Sequence, residues 1–168
     1  MAAAKAAVST SDPTSSAVSY AASVVLPTRN RCDYLRRAIQ SSLDQTVPVE
    51  VLVFDDASTD ATAEMVPREF PQVRYFRNEQ PTGPCVTRNR GAQLATAPII
   101  FPIDDDAAFA SRHTVEQTLA DFDHPRIGAV AIPYIDVNKS PAVLCSPPDR
   151  SQPYVTFEYV GASHALRR

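Results

Sequence analysis

Short apolar runs alternate with segments of helical period between residues 23 and 132, and this alternation restricts the fold more than any other feature of the chain. Ser23–Leu26, Val49–Phe54, Val73–Phe76, Ile99–Ile103 and Ile127–Ile132 each read as a strand. Between the first two, Tyr34, Leu35, Ala38, Ile39 and Leu43 recur near helical spacing, with Asp33 as a cap and Pro48 closing the element. Ser58 or Asp60 is expected to cap a second helix carrying Ala61, Met65 and Val66, which Pro67 kinks or ends. Thr82-Gly83-Pro84 opens a third that runs toward Leu94, because proline is favoured in a first turn. Ser111 caps a fourth containing Val115, Leu119 and Phe122. Strand and helix in strict alternation predict an α/β domain with a mostly parallel sheet sandwiched by helices.

The pattern also sets the organisation. Residues 1–22 are rich in Ala, Ser and Thr, but Ser11-Asp12-Pro13 breaks any continuous apolar stretch, so they read as a flexible leader and not a signal peptide. Residues 23–132 form the α/β domain, and 133–168 a loop-rich part in which Tyr154–Tyr159 is an expected edge strand or hairpin. No run reaches the length of a transmembrane helix. Net charge is −3 without a basic block, which argues against an electrostatic grip on nucleic acid. Cys32, Cys85 and Cys145 form no paired or metal-binding spacing, which points to a reducing, cytoplasmic setting. Of 16 basic residues only Lys5 and Lys139 are lysines; arginine suits planar contacts to phosphate or carboxylate.

The chemistry gathers at strand ends. Asp104-Asp105-Asp106 follows the apolar run 99–103 directly. Adjacent carboxylates repel, and a divalent cation relieves that repulsion; hard oxygens two residues apart suit magnesium or manganese. If the segment stays extended, Asp104 and Asp106 share a face and Asp105 points away, with a structural role. Read alone, the triplet is most simply a solvated acidic turn, and the metal reading depends on its neighbours. Asp55-Asp56 ends the second strand, where Asp56 can accept a hydrogen bond from a base or sugar. Pro27-Thr28-Arg29-Asn30 ends the first strand on the same sheet edge. Gly83 permits close backbone approach, and Arg88 suits a phosphate or a base, although no Rossmann or P-loop glycine spacing is present. His113, His124 and His164 share no spacing with carboxylates and read as surface or packing residues. Cys32 and Cys85 read as semi-buried small residues without a paired base.

Taken in order, residues 24–30, 35–45, 51–60, 83–91 and 103–106 resemble the family-2 glycosyltransferases with the GT-A (Rossmann-like) fold. The resemblance covers residues 22–132 well. It implies an inverting glycosyltransferase domain that uses a UDP-, GDP- or dTDP-sugar together with Mg²⁺ or Mn²⁺. Pro27, Thr28 and Asp56 would border the nucleobase, and Arg88 would lie near the base or diphosphate. Asp104 would approach the ribose or the metal, Asp105 would line the donor site, and Asp106 would ligate the metal. The acceptor would be a glycan, lipid-linked or protein hydroxyl, placing the protein in the cytoplasm or at the membrane periphery. Two departures stand out: Arg29 replaces a common aromatic residue, and Ala107 a common further Asp.

Inverting transfer needs a general base to take the acceptor's proton. Residues 161–168 resemble the segment that precedes the family's catalytic carboxylate, so the base is expected beyond this chain, with Glu158 and Asp136 as weak substitutes. The alternative function is a non-catalytic nucleotide-sugar-binding remnant. A receiver-like phospho-acceptor domain also clusters Asp at strand ends, but no core Lys is available to pair with an acyl phosphate.

Overall fold

The computed structural model describes residues 19–139, 143–144 and 163–168, and their elements follow the alternation read from the sequence. Strand β1 (Ala22–Thr28) leads to helix α1 (Cys32–Leu43), β2 (Val49–Asp55), α2 (Thr62–Glu69) and β3 (Arg74–Arg77). Helix α3 (Pro84–Leu94), β4 (Ile99–Pro102), α4 (Thr114–Ala120) and β5 (Ala129–Ala131) follow, then β6 (Tyr134–Ile135), β7 (Val143–Leu144) and β8 (His164–Arg167). Six strands form one sheet in the order β3-β2-β1-β4-β8-β5, and β6 and β7 form a separate antiparallel pair. The pairs β1–β2, β1–β4 and β2–β3 are parallel, whereas β8 runs antiparallel to both β4 and β5. The chain is thus an α/β protein with a mostly parallel sheet.

The central strands are continuous apolar runs because both faces of the sheet are covered. Val24, Leu26, Val51, Val53 and Phe101 face one layer, against Leu35, Ala38 and Ile39 of α1, Met65 and Val66 of α2 and Val115 of α4. Val25, Leu52, Phe54 and Ile100 face the other, on the α3 side. Each fully buried aliphatic or aromatic side chain contributes about 1.5–3 kcal/mol, so these two layers hold the sheet edge rigid. Helix α3 lies unusually close: a Cβ on Gly91 would sit 2.3 Å from Val25 Cγ1.

Several local expectations are revised. Asp33 does not cap α1; the helix begins at Cys32, whose N–H donates to Asp60 Oδ2 at 3.0 Å, while Asp33 pairs with Arg36. Pro67 neither ends nor bounds α2, which continues to Glu69. The fifth strand is shorter than 127–132 and pairs with β8, a strand the sequence pattern did not single out. Residues 154–159 lie outside the described residues.

Candidate donor-binding crevice

The strand order reverses between β1 and β4. From β1 the chain winds outward through β2 and β3, then returns to place β4 on the other side of β1. Open α/β sheets bind ligands at such a switch point, outside the carboxyl ends of the strands. A crevice of about 550 Å³ opens there. Pro27, Thr28, Asp56, Arg88, Asp104, Asp105 and Asp106 all line it, together with Arg29, Arg31, Pro81, Gly83, Pro84 and Thr87. The sequence-predicted binding residues, spread over four elements, therefore share one cavity.

The β1–α1 and β2–α2 loops brace each other. Asn30 N–H donates to Ser58 Oγ at 3.0 Å, and Thr59 N–H donates to Asn30 Oδ1 at 2.7 Å. Asn30 and Ala57 both adopt positive φ, 55° and 60°. Asn tolerates that region; for Ala it is a strained conformation of the kind concentrated at functional sites. Asp55 is fully buried, accepting Ser58 N–H at 2.7 Å and the Tyr75 hydroxyl, so it anchors the loop.

Its neighbour Asp56 turns into the crevice. Oδ1 accepts from Asn78 Nδ2 at 2.8 Å, Thr82 N–H at 2.8 Å and Thr82 Oγ1 at 2.9 Å, and Oδ2 accepts from Gly83 N–H at 2.8 Å. Burial pushes this carboxyl up, but the donors from Asn78, Thr82 and Gly83 outweigh it and hold the pKa at about 2. Gly83 adopts φ 88° immediately before Pro84 opens α3, a conformation that favours glycine.

The acidic triplet does not stay extended. Strand β4 ends at Pro102, and Ala107 N–H bonds Asp104 O at 3.1 Å, closing a turn that sends the three carboxylates different ways. Asp104 pairs with Arg88. Asp105 is buried and accepts from Thr28 Oγ1 at 2.7 Å, which ties the end of β4 to that of β1. Asp106 meets Arg31 at 2.6 Å, and the same guanidinium nitrogen lies 3.3 Å from Asp105 Oδ1. Burial raises the Asp105 pKa, with Asp106 adding to that effect, while Thr28, Arg31 and the Arg29 N–H oppose it. Asp104 and Asp106 therefore do not share a face as they would on an extended backbone. In the turn Asp105 faces Thr28 and Arg31 and lines the crevice with its two neighbours.

Asp104 and Asp106 are partly exposed hard-oxygen donors in the crevice wall, the kind Mg²⁺ or Mn²⁺ takes in ones and twos while phosphate and water fill the rest. Among the described residues no group of three carboxylate, His or Cys side chains could enclose an ion unaided. Asp136 does not line the crevice; it pairs with Lys139 at 3.2 Å, and the Asn138 N–H and Lys139 lower its pKa. Glu158 lies outside the described residues. His113 is exposed beside Glu116, and His164 is buried in β8. Cys32 is half-buried, but Cys85 is exposed at the second position of α3, not semi-buried as its sequence context indicated.

Sequence reasoning missed Arg31, Asn78 and Thr82. Arg31 stands just before α1, and Asn78 just after β3, so both lie on the sheet edge where the carboxyl ends of parallel strands gather. That rule, applied to every strand end, would have found them.

Comparison with known proteins bears on the family of the chain. The family model of glycosyl transferase family 2 matches residues 23–157. The uncharacterized glycosyltransferase YibD of Escherichia coli is 30% identical over 103 residues, 58% of this chain and 30% of its own. The validoxylamine A glucosyltransferase of Streptomyces hygroscopicus subsp. jinggangensis is 35% identical over 105 residues, 58% of this chain and 24% of its own. Among solved structures, the Pyrobaculum calidifontis mannosyltransferase in complex with GDP-Man and Mn²⁺ has a TM-score of 0.71 at 23% identity, covering 90% of this chain and 46% of that one. The 1–349 portion of Staphylococcus aureus TarS in complex with UDP-GlcNAc has a TM-score of 0.64 at 26% identity, covering 71% and 36%. This chain spans less than half the length of each of these proteins. With the model matched over most of its length and the strand-end motifs gathered in one crevice, the chain belongs to glycosyl transferase family 2.

Proposed function

We propose that the crevice binds a nucleotide-diphospho-sugar with Mg²⁺ or Mn²⁺, and that the protein serves inverting transfer of the sugar to an acceptor hydroxyl. The observation that carries this reading is the meeting of Asp56, Arg88 and the acidic triplet at the β1/β4 switch point. The complexes of the P. calidifontis mannosyltransferase with GDP-Man and Mn²⁺, and of TarS with UDP-GlcNAc, support the ligand class.

Asp56 is the nucleobase contact. It is ionised at any physiological pH, so it only accepts, and Oδ2 carries one protein donor where Oδ1 carries three. The vacant acceptor side suits a ring N–H, as in uracil, thymine or guanine; cytosine and adenine present an acceptor there. Asp106 and Asp104 would hold the ion, which when bound offsets charge on the departing diphosphate. Arg88 supplies positive charge on the α3 side of the same crevice. Every carboxylate lining the crevice is engaged by an arginine, hydroxyl or amide, and we assign these residues to donor binding.

Thermal shift with nucleotides tests the reading. UDP, GDP or dTDP should stabilise the protein in the presence of Mn²⁺, and CDP and ADP should do so less. Asp106→Ala should abolish the metal-dependent part; an unchanged shift would refute its role as ligand. Sugar release from the donor would make the chain catalytic, whereas binding without turnover would favour the remnant reading.

A further inference from the structure

Among the described residues, Arg31 is the one that forms ion pairs with two members of the acidic triplet, and nothing in the preceding function requires it. Its Nη1 lies 2.6 Å from Asp106 Oδ2 and 3.3 Å from Asp105 Oδ1, so a single guanidinium occupies the place where a cation would balance both carboxylates. Arg88 contrasts with it. That side chain is less exposed, with its Nε buried, and it engages Asp104 alone. Arg31 is half-exposed at 50%, on the loop ahead of α1, and an exposed ion pair costs little to break.

Resting on the donor-binding reading, the geometry points to Arg31 as an exchange residue that holds Asp106 until a divalent ion takes its place and then transfers to the donor's diphosphate. An ion that binds Asp106 brings a divalent positive charge beside the guanidinium and repels it from the carboxylate. A displaced arginine in this crevice needs another anion, and a diphosphate offers the planar, two-pronged contact that guanidinium matches best. Metal and diphosphate would then each make the other's binding easier, a coupling that is reciprocal by linkage. The arrangement offsets part of the triplet's negative charge without a metal and ties metal uptake to the arrival of a nucleotide diphosphate. Arg31 is therefore a positioning residue for both ligands.

The test is Mn²⁺ binding followed by electron paramagnetic resonance, using the full chain alone, with uridine and with UDP or GDP, corrected for Mn²⁺ held by free nucleotide. In the unmodified protein the diphosphate should tighten Mn²⁺ binding and uridine should not. Arg31→Gln should tighten binding of Mn²⁺ alone by about fivefold, the scale of a half-exposed ion pair. The same variant should weaken diphosphate binding and reduce the coupling between the two ligands. Arg31→Lys, which keeps the charge without the fork, should fall between. A residue that only supported the loop would weaken both ligands together, so opposite signs for metal and diphosphate distinguish exchange from structural damage. Equal or weaker Mn²⁺ binding by a folded Arg31→Gln overturns the exchange while leaving donor binding intact. If the unmodified protein takes up neither Mn²⁺ nor diphosphate, both the exchange and the donor-binding reading fail.

Discussion

Asp56 holds its charge because Asn78, Thr82 and Gly83 converge on it, and the consequence can be measured apart from any ligand. An unfolded aspartate titrates near about 3.9, whereas the folded carboxyl is held at about 2. The unfolded chain therefore binds more protons between those values. The stabilisation is complete above about pH 4 and is lost as pH falls through about 2. Asp56→Asn should lower stability by about 1–3 kcal/mol at neutral pH, the scale of hydrogen bonds to a charged group. Melts of the two proteins should converge as the pH drops from 4 toward 2; a constant gap would mean the charge is not what matters. Arg29 makes a complementary point. It lines the crevice yet forms no ion pair among the described residues, unlike Arg31 and Arg88. We expect Arg29→Ala to weaken nucleotide binding with little change in melting temperature, measured by titration calorimetry. Residue identities at the strand ends were legible because parallel sheets bind ligands there. The pairing of Arg31 with Asp105 and Asp106 was not, since 74 and 75 residues separate the partners and no local pattern records such a contact.

At the scale of elements, helix α3 determines how closely the crevice wall approaches the sheet. Gly91 lets the helix lie against Val25 and Phe54, and Gly83 permits the turn that presents its N–H to Asp56. Gly91→Ala would drive a methyl into the stiff, β-branched Val25 on the sheet, overpacking that costs about 1–3 kcal/mol. Denaturant unfolding should show the loss, accompanied by weaker nucleotide binding as Arg88 shifts with the helix. Retained stability would show that α3 can rise from the sheet without cost. The central strands were readable because burial on both faces makes them apolar throughout. Strand β8 was not: only its first half is buried, His164 and Ala165, and its place between β4 and β5 is set by long-range pairing. The start of α1 escaped notice for a similar reason, because its cap comes from Asp60 in another loop and not from Asp33.

Across the whole molecule, two buried layers fix a sheet whose strand order reverses between β1 and β4, and the crevice follows from that reversal. Among the described residues no helix is long and apolar enough to cross a membrane. Opposite charges are interleaved around the opening: Arg29, Arg31 and Arg88 stand among Asp56, Asp104, Asp105 and Asp106. A wall of this kind suits a ligand carrying both anionic phosphate and a bound cation, whereas a purely anionic ligand would meet four carboxylates. The central claim is thus that a nucleoside diphosphate and a divalent ion occupy the crevice together. The most direct measurement is a thermal-shift matrix of UDP, GDP and dTDP, each with and without Mn²⁺, on the unmodified protein and on Asp106→Ala. A shift of several degrees is expected for at least one nucleotide, requiring Mn²⁺ and disappearing in Asp106→Ala. A full shift without metal, or one that survives the substitution, would contradict the central claim.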